Sequence, residues 1–168
     1  MLELDIGGSE CPCVLKNRAL NYLTPEYASA LYTKTMNVAR LEGKDLFMFP
    51  SGNYKTLVKS FLLNTGMRYT HSTVSAYDIM QAYLGQAGEG VWQRLQNVDL
   101  LVLIMQLDPP NRAYTEVVGS MIQSRNRIGK RTWAVARDSY DSTSFKQAYG
   151  MIGEVFAECN FTSFKLNS

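Results

Sequence analysis

Cysteine and histidine are scarce: the 168 residues contain three cysteines, Cys11, Cys13 and Cys159, and a single histidine, His71. An odd, low cysteine count fits a reducing compartment and excludes a disulfide framework. Structural zinc takes four ligands; Cys11-Pro-Cys13 offers two, and Cys159 and His71 lie far away in sequence. The pair is either plain residues or a relic, or half of a metal site shared between chains, and no metal is expected within one chain. Long apolar runs are missing as well. The longest, Leu100 to Met105, falls far short of the roughly 20 residues of a membrane span. Met1 to Asp5 lacks the basic start and apolar stretch of a signal peptide, so a cytoplasmic protein without membrane contact is expected. Charge of one sign is absent too: 17 basic residues face 15 acidic ones, for a net charge of +2. The molecule as a whole is therefore no electrostatic nucleic-acid binder, and only a local patch could be one.

What is present is ordinary for a globular chain, with 46% apolar and 11% aromatic residues. A domain of this length buries roughly 68–70% of its unfolded surface, enough for a core without staples. Asn17 to Leu41 reads as helix, with Tyr27, Leu31, Thr35 and Val38 at helical spacing after Thr24-Pro25, and Gly43 stops it. Asp45 to Phe49 is a short apolar run closed by Pro50-Ser51-Gly52-Asn53, a strand and a turn. Lys55 to Asn64 is helical, Tyr69 to Val74 a strand, and Ser75 to Leu84 a capped helix. Val91 to Asn97 forms a short helix. Asp99 to Met105 is nearly all apolar, as in a strand buried on both faces of a parallel sheet. Asn111 to Arg127 is a helix with Tyr114, Val117, Val118, Met121 and Ile122 on one face. Thr132 to Ala136 is an apolar strand, Phe145 to Glu158 a helix, and Phe161 to Leu166 an alternating last strand. Strands alternating with helices imply an α/β three-layer sandwich around a five-stranded parallel sheet. Ligands in such sheets sit at the carboxyl ends of the strands.

The first strand–turn–helix reads Phe49-Pro50-Ser51-Gly52-Asn53-Tyr54-Lys55-Thr56. A Walker A phosphate loop is G-x-x-x-x-G-K-[ST] in the same context. Gly52, Lys55 and Thr56 stand in place, but Phe49 and Tyr54 replace the two framework glycines. The second glycine lets the backbone wrap the phosphates closely, and a phenol there crowds them. The strand ending in Ile104 and Met105 stands where a Walker B strand carries its magnesium-binding acid and the acid that activates water. Neither side chain can do this. Asp99 is five residues back, at the wrong edge of the sheet, and Asp108 follows in the loop as a weak substitute ligand.

The segments resemble the ATPase domain of DnaC/DnaI-type helicase loaders and IstB transposition ATPases, of the AAA+ class. The similar stretches are Lys44 to Leu57, Ser75 to Met80, Leu95 to Val102 and Val117 to Thr132, where Ile122 to Thr132 is similar to the family's I-N-x-R-Y-x-x-G-K-P-T segment. Tyr149 to Ile152 and Phe161 to Leu166 are similar to its last helix and strand, and Cys11-Pro-Cys13 to the tail of a preceding zinc module. The resemblance implies residues 1–16 as an N-terminal segment with a zinc-module relic and residues 17–168 as the AAA+ domain. It also implies strand order 5-1-4-3-2 and no separate helical lid. The chain departs from the family in one direction. Arg137 stands where the sensor asparagine is expected, and no arginine finger stands near Gly153-Glu154. Altered Walker positions, sensor and finger together imply a pseudo-ATPase.

Arg125, Arg127, Lys130, Arg131 and Arg137 form the one basic cluster, read either as a solvated helix end or as a contact for nucleic-acid phosphates or an acidic partner. The tryptophans and the ten tyrosines are assigned mostly to packing by default, with stacking on single-stranded bases open to exposed ones, and the eight methionines to the core. His71 is expected at a strand surface. The expected function is a non-catalytic, helicase-loader-like interaction module in DNA replication or a mobile element. Its expected partners are a replicative helicase or an active AAA+ paralogue, with single-stranded DNA as a further one and oligomerisation open. No cofactor is expected. The alternatives are an AAA+ protein that keeps ATP or ADP on Gly52, Lys55 and Thr56 with little hydrolysis, and a structural subunit in an assembly of active paralogues.

Overall fold

The apolar runs become strands of one parallel sheet. The computed structural model describes residues 42–50, 54–65, 68–105, 112–150 and 152–166. The strands are β1 (Leu46–Phe49), β2 (His71–Ser75), β3 (Leu100–Met105), β4 (Arg131–Ala136) and β5 (Thr162–Lys165). They lie in the order β2-β3-β4-β1-β5, which is the expected order read from the opposite edge, and every neighbouring pair is parallel. The helices are α1 (Tyr54–Asn64), α2 (Ala76–Tyr83), α3 (Val91–Asn97), α4 (Arg112–Arg127), α5 (Thr143–Tyr149) and α6 (Ile152–Glu158). The helix expected over residues 17–41, and the boundary expected at residue 16, lie outside the described residues.

Two expected elements differ. The strand expected from Tyr69 begins at His71 and runs to Ser75, whose backbone still pairs with Ile104 while its hydroxyl caps α2 in a capping box with Asp78. The single helix expected over Phe145–Glu158 is two helices. Gly150 ends α5 with φ +57, a conformation that L side chains avoid, and its N–H donates to the Lys146 carbonyl at 2.8 Å.

Two compact units divide the described residues. In the larger, residues 44–50 and 71–166, the central strands are buried on both faces, which is why β3 and β4 read as unbroken apolar runs. Phe47, Leu101, Leu103, Met105, Ala134 and Ala136 form one face and pack against Ile79 of α2, Val118, Met121 and Ile122 of α4, and Phe145 and Phe156 of α5 and α6. Phe47 meets Tyr140, Phe145 and Phe156 edge-on, with ring centroids 4.8–5.5 Å apart. Each buried ring of this kind contributes about 1.5–3 kcal/mol by leaving water. In the smaller unit, α1 buries Leu57, Val58, Phe61 and Leu62. The Thr65 hydroxyl closes α1 on the Phe61 and Leu62 carbonyls. Phe61 stacks near Tyr69, and the Glu42 carboxylate accepts from the Tyr69 hydroxyl and the Arg68 guanidinium.

Candidate functional site

In a parallel sheet all carboxyl ends share one edge, so the strand register lines up the positions where a nucleotide would be handled. Ser75 pairs with Ile104 and Ile104 with Val135; Met105 pairs with Ala136, and at the end of β1 Phe49 pairs with Lys165. Met105 and Ala136 are buried and Ile104 is half-buried. None of these apolar side chains can ligate magnesium or orient a water. Among the described residues, no group of three metal-ligating side chains comes together. Arg137 leaves this edge just beyond β4 and is exposed. Gly153 is drawn close to the loop after β4, where an added Cβ would meet the Tyr140 carbonyl oxygen at 3.3 Å. Asp99 sits at the opposite, amino-terminal edge, as expected, and Asp108 lies outside the described residues.

Lys55 and Thr56 occupy the first turn of α1, both half-buried, and Gly52 lies outside the described residues. The Lys55 ammonium stands 5.9 Å from the centre of the Tyr54 ring. Tyr54 is itself half-buried, and burial pushes its phenol above the ordinary tyrosine pKa.

The basic cluster does not survive as one patch. Arg125 is fully buried and spends its guanidinium inside the protein. Nε donates to Thr132 Oγ1 at 3.0 Å, Nη1 to the Leu95 and Gln96 carbonyls at 2.7 and 3.1 Å, and Nη2 to the Arg131 carbonyl at 2.7 Å. Burial pulls its pKa down to about 10, opposed by the Asp45 and Asp99 carboxylates, so it stays charged at neutral pH. It is a structural residue, and its expected role as a phosphate contact is corrected. Lys130 Nζ pairs with Asp99 Oδ1 at 3.0 Å, and an Arg131 Nη1 stands 3.9 Å from Asp45 Oδ2. Arg127 is exposed at the end of α4 on the same edge. Arg137 lies six residues after Arg131, just past the other end of β4, roughly 20 Å away at strand rise.

Asp45 is the residue that sequence reasoning missed. It is buried just before β1 and accepts from the Thr132 backbone N–H at 2.8 Å and from Asn126 Nδ2 at 3.0 Å, tying β1, β4 and the end of α4 together. The signal was there: an acid precedes the apolar run of β1, another precedes β3, and Lys130-Arg131 open the strand between them. Tyrosine, assigned mostly to packing, is half-buried or buried at most described positions, while Tyr77 and Tyr83 are more than half exposed. His71 is half-buried in β2, and Cys159 is half-buried with its thiol pKa raised by burial. Cys11 and Cys13 lie outside the described residues.

No family model matches the sequence, and no curated protein matches it. Solved structures do. The DnaC helicase loader aligns with a TM-score of 0.59 at 17% identity, over 86% of this chain and 92% of its own. DnaI aligns with a TM-score of 0.56 at 15% identity, over 84% and 81%. AMPPCP-bound DnaA from Aquifex aeolicus aligns with a TM-score of 0.59 at 13% identity, over 88% of this chain and 48% of that one. The chain spans about half the length of the first DnaA structures it matches. The sheet order and these alignments together give the chain a DnaC/DnaI-type AAA+ fold, the P-loop NTPase α/β architecture.

Proposed function

We propose that this chain is a replication-related AAA+ domain that works by binding other proteins and has given up nucleotide hydrolysis. The observation that carries this reading is the carboxyl edge of β3, where Ile104 and Met105 stand in register with Val135 and Ala136. AAA+ hydrolysis needs a carboxylate at that edge to hold magnesium and another to position the attacking water. Apolar side chains at these positions offer no ligand to magnesium. Arg137 in the sensor position and the Tyr54 ring at the phosphate loop point the same way. Similarity to DnaC and DnaI supports a role beside a replicative helicase or an active AAA+ paralogue, in replication or a mobile element. One neighbour is a DnaA bound to AMPPCP and single-stranded DNA, but here Arg125 is internal and Lys130 and Arg131 face carboxylates. That supports protein over DNA as the main partner.

A second reading is favoured by Lys55 and Thr56 in the first turn of α1: retained ATP or ADP binding with little or no turnover. Calorimetric titration with Mg-ATP separates the two. No binding in the micromolar range and no phosphate release are expected. A dissociation constant near 10 μM, about −6.8 kcal/mol, would replace the first reading with the second, and sustained rapid turnover would overturn both.

A further inference from the structure

What is left of the basic cluster sits at the amino-terminal edge of the sheet, opposite the edge where a nucleotide would be handled. The turn from α4 into β4 carries Arg127, Ile128, Lys130 and Arg131, and it is firmly held. Gly129 turns it with φ +76. The Lys130 N–H donates to the Arg125 carbonyl at 2.9 Å, and Arg125 Nη2 donates to the Arg131 carbonyl at 2.7 Å. Lys44 joins from the next strand. It stands two residues before Leu46 as Arg131 stands two before Trp133, and Leu46 and Trp133 are register partners. The Trp133 indole N–H donates to the Lys44 carbonyl at 3.2 Å, which fixes that end. Arg94 flanks the site from the last turn of α3, one residue before the Leu95 carbonyl that Arg125 holds.

Charges here do not cancel. Asp45 and Asp99 answer three cations, Arg125, Lys130 and Arg131, so the network keeps a positive excess. Lys44, Arg94 and Arg127 are exposed and add to it, while the exposed acid beside them is Glu158 at the end of α6. The whole chain carries +2, so its positive charge is concentrated at this edge. The dipole of α4 favours cations at its C-terminus, which accounts for Arg127 and Lys130. It does not account for Lys44, which precedes a strand. Nor does it account for Ile128, an aliphatic side chain 52% exposed between Arg127 and Lys130.

An aliphatic anchor flanked by cations selects the occupant. Carboxylates suit these cations: Lys130 pairs with Asp99 at 3.0 Å and has further N–H groups to give, and Arg131 stands 3.9 Å from Asp45 with its side chain 41% exposed. A phosphate backbone would use the cations but not Ile128. The turn and the strand ends beside it also carry no exposed ring on which a base could stack. A second copy docked through the same edge would bring like charges together. We propose that the amino-terminal edge of the sheet, with Ile128 as anchor and Lys44, Arg127, Lys130 and Arg131 around it, docks an acidic protein segment that carries an apolar residue among its carboxylates. A preformed turn lowers the ordering cost of such a contact, and clustered cations are a recurring device for acidic motifs. This deepens the reading of the chain as a protein-binding domain and rests on it.

The test uses the full chain and fluorescence anisotropy at low salt. The probes are two labelled peptides of equal length with the same leucines, one carrying Glu and one Lys between them, together with a labelled single-stranded oligonucleotide. The acidic peptide is expected to bind with a dissociation constant on the order of 10–100 μM, and the basic peptide and the oligonucleotide at least about tenfold more weakly. The double variant Lys44→Gln, Arg127→Gln should bind the acidic peptide about five- to tenfold more weakly. Its melting temperature should be unchanged, because both side chains are exposed. Ile128→Ser should weaken binding about threefold and leave its salt dependence as it is. Arg137→Gln, Lys165→Gln removes the same charge from the opposite edge and should bind as wild type does. Equal binding of the two peptides, equal weakening by the two double variants, wild-type binding by Ile128→Ser, or tighter binding of the oligonucleotide than of the acidic peptide would overturn the proposal. The last of these would hand the edge to nucleic acid. ATP turnover by the same sample would overturn the non-catalytic reading and leave the docking edge standing. A missing peptide signal in a sample that also binds no nucleotide would do the reverse.

Discussion

Replacing Arg125 by alanine tests the assignment of this side chain to the interior. The guanidinium serves four acceptors: the Thr132 hydroxyl and the carbonyls of Leu95, Gln96 and Arg131. Deletion strands buried carbonyls, each costing about 1–3 kcal/mol when left without a donor. It also removes the cation that Asp45 and Asp99 face. Breaking a buried charged network of this kind costs about 3–5 kcal/mol. For a chain of this size each kcal/mol lowers the melting temperature by roughly 2–4 °C, so Arg125→Ala should melt roughly 10 °C below wild type. Arg127→Ala, two residues on and exposed, should stay within about 0.5 kcal/mol. Arg125→Lys should recover only part of the loss, because one ammonium cannot reproduce the planar fork that reaches four acceptors. Urea titrations of the three variants make the comparison. If Arg125→Ala costs less than about 1 kcal/mol, or if it and Arg127→Ala are indistinguishable, the buried network has no energetic meaning and the charge belongs to the surface.

Why that role was hidden in the sequence is instructive, because the position was legible and the chemistry was not. Arg125 lies four residues after Met121 and three after Ile122, on the apolar face of α4, so helical spacing already aims it inward. Its neighbours in sequence, Arg127, Lys130 and Arg131, drew it into a surface cluster instead. The acids that answer these cations are Asp99 and Asp45, some thirty and eighty residues away along the chain. They meet them only because β4 lies between β1 and β3 with Arg131 in register with Leu100. Local patterns gave the strands of the sheet almost residue for residue, since burial on both faces of β3 and β4 leaves an unbroken apolar run. The strand order came from the family resemblance, because no local feature says which strand lies beside which. The break at Gly150 was open to reading, a glycine inside a helical pattern being a warning. The exposure of Tyr77 and Tyr83 was not, since it depends on what the fold leaves uncovered.

Two further outcomes are expected. Single-stranded DNA binding at low salt should be weak, with a log K against log salt slope of about −1 to −2, because among the described residues Lys130 and Arg131 already face carboxylates. A slope near −3 in a fluorescence titration would mean that Lys130 and Arg131 leave their carboxylates for phosphates and would restore DNA as a main partner. The second outcome concerns pH and the smaller unit. The Tyr69 hydroxyl, then the Arg68 guanidinium, hold the Glu42 carboxyl below its ordinary value of 4.5. A carboxylate whose folded pKa is depressed stabilises the folded state above its unfolded pKa, and this contribution fades as pH falls through the folded value. Glu42→Gln should therefore melt below wild type at pH 7, and the gap should be smaller at about pH 3, below the ordinary carboxyl value, where part of this contribution has faded. Thermal scans of both proteins at the two pH values decide it. A gap of the same size at both would mean that the loss comes from packing of the Arg68 and Tyr69 side chains rather than from the charge they hold.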